Sequence, residues 1–273
     1  MKKNIPLVSI LINNYNKENY CVKAVNSILQ QSYKNTEIIF YDDFSSDNSL
    51  FKIKKIRSKK IKIVENRLRG KIRGFNQMEG IFNSLKKSKG EIICILDSDD
   101  FFEKNKIQKV VNCFNNNKKI DILFDRPIIY RSSENKYKSH VKYKFRKSKW
   151  PVFPPTSCIS VRSHSLKKNK NNIFIKKYNE VWFDFRVATY YSLNKNQFNI
   201  LDDHLTYYRD DPSSHDKRYK KFFNSLWWER RYQAFQFLNH INKKYYFRNF
   251  LSFDYLITKI VYKFTRLFFV IKS

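Results

Sequence analysis

The chain has 273 residues, with 55 lysines and arginines against 24 aspartates and glutamates, so its formal net charge is +31. Hydrophobic residues make up 42% of the chain and aromatic residues 17%. This composition excludes a disordered protein and predicts one large domain, or a domain with an appendage. The positive charge favours phosphates, nucleic acid or an anionic membrane surface as partners. A/T-rich codons are an alternative origin of the bias, since they encode Lys, Asn, Ile, Phe and Tyr.

The four cysteines lie far apart and form neither a CxxC pair nor a zinc-like group with histidine. Their apolar surroundings predict buried thiols in a reducing compartment. No signal-peptide pattern follows the basic start of the chain, and no uncharged apolar run reaches the ~18 residues of a membrane span. We therefore expect a cytoplasmic chain that is not integral to a membrane but lies peripherally at its cytoplasmic face.

Strand and helix patterns alternate through the first half of the chain. Predicted strands cover Val8–Ile12, Glu37–Tyr41, Lys60–Val64 and Glu91–Leu96. Predicted helices lie between them, the later ones at Phe75–Lys87 and Lys104–Asn115. Such alternation predicts an α/β fold, a Rossmann-like and mostly parallel sheet with helices on both faces.

The second half of the chain is less regular. A helix is predicted at Glu180–Leu193 and a strand at Phe198–Leu201, and from Tyr219 onward the chain is helical, aromatic and basic. We expect this C-terminal helical region to follow the α/β fold as a separate unit.

Acidic residues cluster where two predicted strands end, at Asp42–Asp43 and at Asp97–Asp100. The carboxyl ends of parallel strands share one edge of a sheet and bind ligands there. Closely spaced carboxylates repel one another unless a cation neutralises them, and Mg²⁺ or Mn²⁺ prefers such oxygen ligands. The alternative is a solvated turn in which Asp100 caps the next helix. An EF-hand is excluded because Phe101 and Phe102 occupy positions that need an oxygen ligand and glycine.

Only four glycines are present, and neither a dinucleotide fingerprint nor a P-loop can be built from them. A bound diphosphate would therefore depend on a metal and on cationic side chains. The loop after the third strand supplies candidates at Arg67, Arg69, Lys71 and Arg73. We select Arg73 as the predicted phosphate contact.

Three ordered segments, VSILINNYNKENY, TEIIFYDDFSSDNS and KGEIICILDSDDFF, resemble the start of a family 2 glycosyltransferase of the GT-A fold. The resemblance implies an inverting, metal-dependent enzyme of hexosyltransferase type. It implies nucleotide contacts at Asn14, Tyr15 and Asp42. It also implies that Asp97 and Asp99 hold Mn or Mg against the diphosphate of a nucleotide sugar, with a UDP-sugar favoured.

This chain departs from the family at two places beside the expected nucleotide. The family usually has Pro-Thr or a similar pair where this chain has Asn13 and Asn14, and it has glycine where this chain has Phe44.

The family takes its general base from a Glu-Asp motif that opens a helix in the second half. The matching segment here, NEVWFDFR, lacks the adjacent pair. Glu180 matches the motif's position, and Asp184 lies one helical turn later, on the same face of the predicted helix. We favour Asp184 because the family's base is usually Asp, and Glu180 stays the alternative. In the segment YYRDDPSSH, His215 is a candidate third metal ligand near the diphosphate.

The resemblance divides the chain into a catalytic domain over 1–215 and a C-terminal helical region over 216–273. Within the domain, 1–115 is the nucleotide-sugar half and 116–215 the acceptor half. The segment Tyr245–Ser273 predicts an amphipathic, basic helix that lies in a membrane interface or packs on the domain.

The expected acceptor is a glycan or lipid-linked glycan of lipopolysaccharide, capsule or another surface polysaccharide. The other expected partners are the nucleotide sugar and the anionic inner-membrane surface, without nucleic acid. Two other functions stay open: a Mg-dependent phosphatase or nucleotidyltransferase, and a non-enzymatic nucleic-acid-binding protein.

Overall fold

A computed structural model describes residues 5–130, 136–138, 152–195, 198–210, 224–241 and 252–270. The strands are β1 (Val8–Asn14), β2 (Thr36–Asp42), β3 (Ile61–Glu65), β4 (Ile92–Asp97), β5 (Phe101–Phe102), β6 (Ile122–Tyr130), β7 (Lys136–Lys138), β8 (Ile159–Arg162) and β9 (Phe198–Arg209). The helices are α1 (Cys21–Leu29), α2 (Ser49–Lys54), α3 (Arg73–Lys87), α4 (Lys106–Asn116), α5 (Ser163–Lys168), α6 (Lys170–Ile173), α7 (Phe183–Tyr190), α8 (Ser225–Ile241) and α9 (Phe253–Val270). A 3₁₀ turn covers Thr156–Cys158, and a π-helical turn, Tyr191–Lys195, continues α7.

The strands form one sheet in the order β3-β2-β1-β4-β8-β6-β9-β5, with β7 paired on β6. The first four strands are parallel, as the strand–helix alternation predicts. The second half adds antiparallel pairings of β8 with β4 and β6, while β6 and β9 are parallel. The predicted α/β class is therefore confirmed, with a mixed second half, since antiparallel neighbours need no helical crossover.

Successive residues of the central strands face opposite sides of the sheet. On β1, Ile10 and Ile12 pack in a buried cluster with α1, α2 and α4, whereas Leu11 packs in a second cluster with α3 and α7. Helices thus cover both faces, as predicted. With both faces covered, the carboxyl ends of the parallel strands are the edge available to a ligand.

The elements around the predicted base differ from expectation. Trp182 is extended, with φ −67° and ψ 156°, and α7 begins at Phe183. Glu180 therefore precedes the helix, and the expected shared helical face with Asp184 is wrong. The predicted strand at Phe198–Leu201 continues to Arg209, because it pairs along its length with β6 and at its end with β5.

The C-terminal helices pack against α7 and against each other. Phe185 of α7 lies in a buried cluster with Phe235 and Phe237 of α8 and Tyr255 of α9. Arg231 of α8 donates to both carboxylate oxygens of α9's Asp254, at 2.6 and 2.7 Å. Within the described ranges, we find no helix with the length and hydropathy of a membrane span.

Candidate active site

A cavity of about 780 Å³ opens at the carboxyl edge of the parallel strands. Strand register creates it by setting Asn13 of β1 beside Asp97 of β4 and Asn14 beside Asp42 of β2. Helix α3 approaches this edge closely, because a Cβ on Gly80 would lie 2.8 Å from Asn13 Oδ1. The volume is in the range of ordinary small-molecule sites.

Most of the residues predicted from the sequence meet here. Those that line the cavity are Asn14, Tyr15, Arg73, Asp97, Asp99 and Asp184. Asp42 and Glu180 are buried and do not line the cavity. His215 lies outside the described residues.

Of the two adjacent carboxylates at the end of β2, Asp43 lines the cavity and Asp42 lies beneath it. Asp42 accepts hydrogen bonds from Asn14 Nδ2 at 2.8 Å and from the Ser45 amide at 2.9 Å. It therefore fixes the ends of β1 and β2 and the turn after β2. That turn places Phe44 at φ 60°, a left-handed backbone that glycine adopts more readily, which accounts for the family's preference at this position.

Asp43 and Arg69 form a polar wall of the cavity, although neither was chosen from the sequence as a nucleotide or phosphate contact. Asp43 pairs with Arg69 Nε at 2.8 Å and accepts a hydrogen bond from Asn66 Nδ2 at 2.8 Å. The Arg69 guanidinium carbon lies 3.6 Å from the centroid of the Tyr15 ring. Burial raises the pKa of Asp43. The acidic pair at the strand end was the available signal, but it does not tell which carboxylate faces the ligand.

Asp97 and Asp99 form the acidic wall of the cavity. Asp97 is held through its amide, which donates to Ser157 Oγ at 3.0 Å, and through its carboxylate, which Gln77 Nε2 approaches at 3.3 Å. Asp99 pairs with Lys17 Nζ at 2.6 Å. Burial, and then the neighbouring Asp99 charge, raises the pKa of Asp97 to about 7.

Asp100 has a structural position in the acidic loop, the segment Asp97–Asp100 that runs from the last residue of β4 to β5. It is 2% exposed, and its carboxylate accepts hydrogen bonds from Ser157 Oγ at 2.5 Å and from the Arg209 amide at 2.7 Å. Burial raises its pKa well above the ordinary value. The expectation that Asp100 caps the next helix is wrong, because α4 begins later, after Asn105.

Asp184 reaches the cavity from the first turn of α7. Burial raises its pKa, whereas the nearby Arg230 charge and a hydrogen bond with Thr156 lower it. The side chain of Gln77 links this group to the acidic wall, since Nε2 lies 3.4 Å from Thr156 Oγ1 and also contacts Asp97. Glu180 lies away from the cavity, and its amide donates to Gln233 Oε1 at 2.9 Å.

The donor set fits a divalent cation bound between Asp97 and Asp99. Both carboxylates line the same cavity, and burial together with the neighbouring Asp99 charge disfavours the ionised form of Asp97, which a cation would favour. Among the described residues there is no cluster of three or more His, Cys, Asp or Glu side chains placed to hold a metal. Two carboxylates suit Mg²⁺ or Mn²⁺ that completes its shell with phosphate oxygens and water.

Several polar atoms in the cavity wall are buried without a hydrogen-bond partner among the described residues: Asn13 Oδ1, Asn14 Oδ1, Gln77 Oε1 and Trp182 Nε1. Buried polar atoms ordinarily find a partner.

Solved structures share this fold. TarS 1–349 of S. aureus in complex with UDP superimposes with a TM-score of 0.65 and 18% identity, over 85% of this chain and 65% of that 1–349 chain. A mannosyltransferase of Pyrobaculum calidifontis in complex with GDP-Man and Mn²⁺ gives 0.51 and 13%, over 85% and 64%. These likenesses confirm the predicted GT-A fold.

Curated relatives extend the comparison to sequence. An uncharacterised glycosyltransferase of Nostoc sp. is 26% identical over 215 residues, covering 74% of this chain and 64% of the relative. The Escherichia coli protein WfgD, a UDP-Glc:α-D-GlcNAc-diphosphoundecaprenol β-1,3-glucosyltransferase, is 34% identical over 106 residues, covering 39% and 40%. The chain thus spans less than two thirds of either relative's length.

The family model for glycosyl transferase family 2 matches residues 9–178, which is more than half of the chain. The chain belongs to this family, as its three strand-end segments predict.

Proposed function

We propose that this chain transfers a sugar, with inversion, from a nucleoside diphosphate donor to a hydroxyl group of a glycan acceptor. Family membership supports the reaction class. The observation that carries the site assignment is that Asp97 and Asp99 of the acidic wall and Asp184 of α7 line one cavity. A paired metal-binding wall and a separate carboxylate are the two parts that such a transfer needs.

The nucleoside end of the donor lies, in this proposal, against Asn14, Tyr15 and the Asp43–Arg69 pair. Asp42 supports this end from below through Asn14. Arg69, in the loop before α3, and Arg73, in the first turn of α3, supply positive charge for the diphosphate. We propose a UDP-sugar, because WfgD is named for UDP-Glc and TarS was solved with UDP and with UDP-GlcNAc.

Asp97 and Asp99 would hold Mn or Mg beside the diphosphate. When bound, the cation neutralises negative charge that develops on the leaving group. Lys17 already pairs with Asp99 and lines the cavity, so its ammonium group adds positive charge on the same side.

Asp184 accepts the proton of the attacking acceptor hydroxyl. Its burial raises its pKa and so makes it a stronger base than an exposed aspartate. Glu180 is the weaker candidate because it does not line the cavity. Trp182, beside Asp184, offers an indole N–H that has no partner among the described residues and can donate to an acceptor hydroxyl.

We propose a lipid-linked glycan as the acceptor, in the assembly of lipopolysaccharide, capsule or another surface polysaccharide at the cytoplasmic face of the membrane. WfgD and WfaP of Escherichia coli are both named for transfer to α-D-GlcNAc-diphosphoundecaprenol. The net charge of +31 supports peripheral contact with an anionic membrane.

The test combines thermal shift and product analysis on the full chain, with UDP, GDP, dTDP and CMP offered with and without Mn²⁺. We expect the largest Mn-dependent rise in Tm with UDP. In Asp99→Asn this rise should be lost, and transfer from a UDP-sugar should fall by about 100-fold or more, the loss of several kcal/mol of metal stabilisation. Asp203→Asn is the matched control, because that aspartate pairs with Lys109 outside the cavity.

Full transfer by Asp99→Asn, or in excess chelator, would contradict the metal assignment. Release of free phosphate or pyrophosphate from the sugar nucleotide would assign a phosphatase or nucleotidyltransferase. Steeply salt-dependent binding of single-stranded nucleic acid that survives loss of both carboxylates would assign a nucleic-acid binder.

A further inference from the structure

Helix α9 presents an exposed apolar stripe along its length. The stripe residues and their exposed fractions are Phe253 77%, Leu256 49%, Ile260 57%, Phe264 59% and Leu267 66%. They recur every three or four residues and therefore lie on one helical face. Large contiguous apolar patches on a protein surface mark interaction sites.

The opposite face of α9 is already used for packing. Tyr255 is 5% exposed, Thr258 is buried, and Tyr262 stacks on Tyr232 of α8 with ring centroids 4.6 Å apart. At 3.6 residues per turn these positions lie about half a turn away from the stripe. The stripe is therefore not the face that completes the core, and its apolar side chains serve a second contact.

The charges on α9 identify the chemistry of that contact. Lys259, Lys263 and Arg266 lie together along one flank of the stripe. The acidic residue of this helix, Asp254, is neutralised by Arg231. A helix with an apolar face and a basic flank lies in the interface of an anionic bilayer, with its apolar side chains below the headgroups.

We infer that the stripe of α9 is the surface by which this chain docks on an anionic lipid membrane. A second copy of the chain is a poor occupant, because two molecules of net charge +31 repel each other and a self-contact would bring two basic flanks together. Nucleic acid would match the charge but would leave the apolar stripe in water.

Docking through α9 would also place the membrane close to the cavity. Helix α8 lies between them: it carries Arg230 into the cavity wall and contacts the segment before α7 through Gln233. Packed helices are about 8–10 Å apart, so one helical layer would separate the bilayer from the site. That docking brings the site to its acceptor is an inference that rests on the proposed lipid-linked acceptor. The membrane contact of α9 itself does not depend on that proposal.

The test is sedimentation of the full chain with phosphatidylcholine vesicles, with and without phosphatidylglycerol. We expect binding only when phosphatidylglycerol is present. The double variant Leu256→Gln/Ile260→Gln should lower the partition coefficient by about tenfold or more, because two apolar side chains no longer enter the bilayer. Lys259→Gln/Lys263→Gln should lower it by a similar factor, and by less at high salt.

Phe51→Gln on α2 is the matched control, since Phe51 is an equally exposed apolar residue outside the stripe. It should bind vesicles like the wild type. Unchanged Tm and circular dichroism will show that each variant is folded. Transfer to a water-soluble acceptor analogue should be unchanged in the stripe variant, which separates failure of docking from failure of the proposed reaction.

Vesicle binding by the stripe variant equal to wild type would overturn the inference, as would equal binding of the wild type to vesicles without phosphatidylglycerol. A dimer that light scattering detects in the wild type, and that the stripe variant loses, would assign the stripe to a second copy instead.

Discussion

At Asp97, the needs of folding and of ligand binding oppose each other. Its pKa is raised from the ordinary 3.8 to about 7, first by burial and then by Asp99. The folded chain therefore holds this proton more tightly than the unfolded chain does. Between about pH 4 and pH 7 the folded state carries the extra proton, so its stability falls as the pH rises through that window. A bound cation requires the ionised carboxylate, so its affinity rises over the same window.

We therefore predict that Asp97→Asn stabilises the metal-free chain at pH 8 by at least about 1 kcal/mol, because it removes a buried charge. At pH 4 the difference should be small, since the wild-type carboxyl is then protonated. The same variant should lose the Mn-dependent thermal shift with UDP. Urea unfolding at the two pH values measures the first effect, with Asp203→Asn as the surface control. Lower stability of Asp97→Asn at pH 8 would contradict this account.

The two candidate bases differ in what they touch. Asp184 lines the cavity, whereas Glu180 lies in the turn before α7. We predict that Asp184→Asn lowers kcat by about 10²- to 10⁴-fold, the usual contribution of a general base, with little change in UDP binding. The acidic limb of the wild-type kcat profile should lie above the ordinary aspartate pKa, because burial raises the pKa of Asp184.

Glu180→Gln is the matched comparison, since it makes the same kind of change at the neighbouring carboxylate. Its kcat should stay within about tenfold of wild type, a smaller loss than removal of a general base causes. If Glu180→Gln lost more activity than Asp184→Asn while still folded, the assignment would pass to Glu180.

Several secondary-structure elements meet at a buried ion pair beneath the acidic loop. Lys106, the first residue of α4, is fully buried, and its Nζ lies 2.7 Å from Asp125 Oδ1 of β6. The same ammonium group donates to Thr206 Oγ1 of β9 at 2.6 Å and to the Ser157 carbonyl at 2.8 Å. Ser157 in turn donates to Asp100. The pair therefore connects three elements to the loop that carries Asp97 and Asp99.

We predict that this pair contributes more to positioning than to stability. Lys106→Met alone should destabilise the fold by about 3–5 kcal/mol, because it leaves the Asp125 charge buried and unpaired. Lys106→Met/Asp125→Leu should recover most of that stability, because burying an ion pair costs desolvation energy. The double variant should still bind UDP with Mn²⁺ about 10- to 100-fold more weakly, since the acidic loop has lost its support.

Urea unfolding and UDP titration by calorimetry measure the two effects separately. A double variant that regains both stability and wild-type UDP affinity would show that the pair has no positioning role.

The elements differ in how far the sequence predicts them. Strands β1, β2 and β4 are mainly apolar runs followed by polar residues, and β3 is a shorter mixed run, so all four could be placed to within two residues and their common edge could be predicted. The full length of strand β9 could not be predicted, because polar residues, including Asp202, Asp203 and His204, interrupt its sequence and its length depends on pairing with β6. The sequence also could not show that Asp43 lines the cavity and Asp42 does not. Adjacent residues of a strand face opposite sides of the sheet, and only the strand register decides which of them faces the ligand.

Over the whole molecule, the C-terminal helices belong to the site as well as to the fold. The domain division at residue 215 places them in a separate region, and the residues around that boundary lie outside those described. Yet α8 contributes Arg230 to the cavity and shares a buried cluster with α7. The sequence could not show this, because the contact joins segments far apart in the chain and Arg230 has no motif around it.

We therefore predict that UDP with Mn²⁺ slows amide hydrogen exchange in α8 and α9, although α9 does not line the cavity. Ligand binding stabilises the folded state only against openings that disrupt the site, and opening of α8 removes Arg230 from it. Helix α9 should follow, because Arg231 and Tyr232 of α8 hold Asp254 and Tyr262. Exchange by mass spectrometry measures the effect, with the C-terminal turn of α4 as an internal reference.

The variant Arg231→Met distinguishes the exchange response of α8 from that of α9. It removes the ion pair to Asp254 and the hydrogen bond to Thr258 while leaving Arg230 in place. Ligand protection should then persist in α8 and weaken in α9, because the disturbed contact lies between the two helices. Equal exchange in α8 with and without ligand would mean that the catalytic domain binds its donor independently of the C-terminal region.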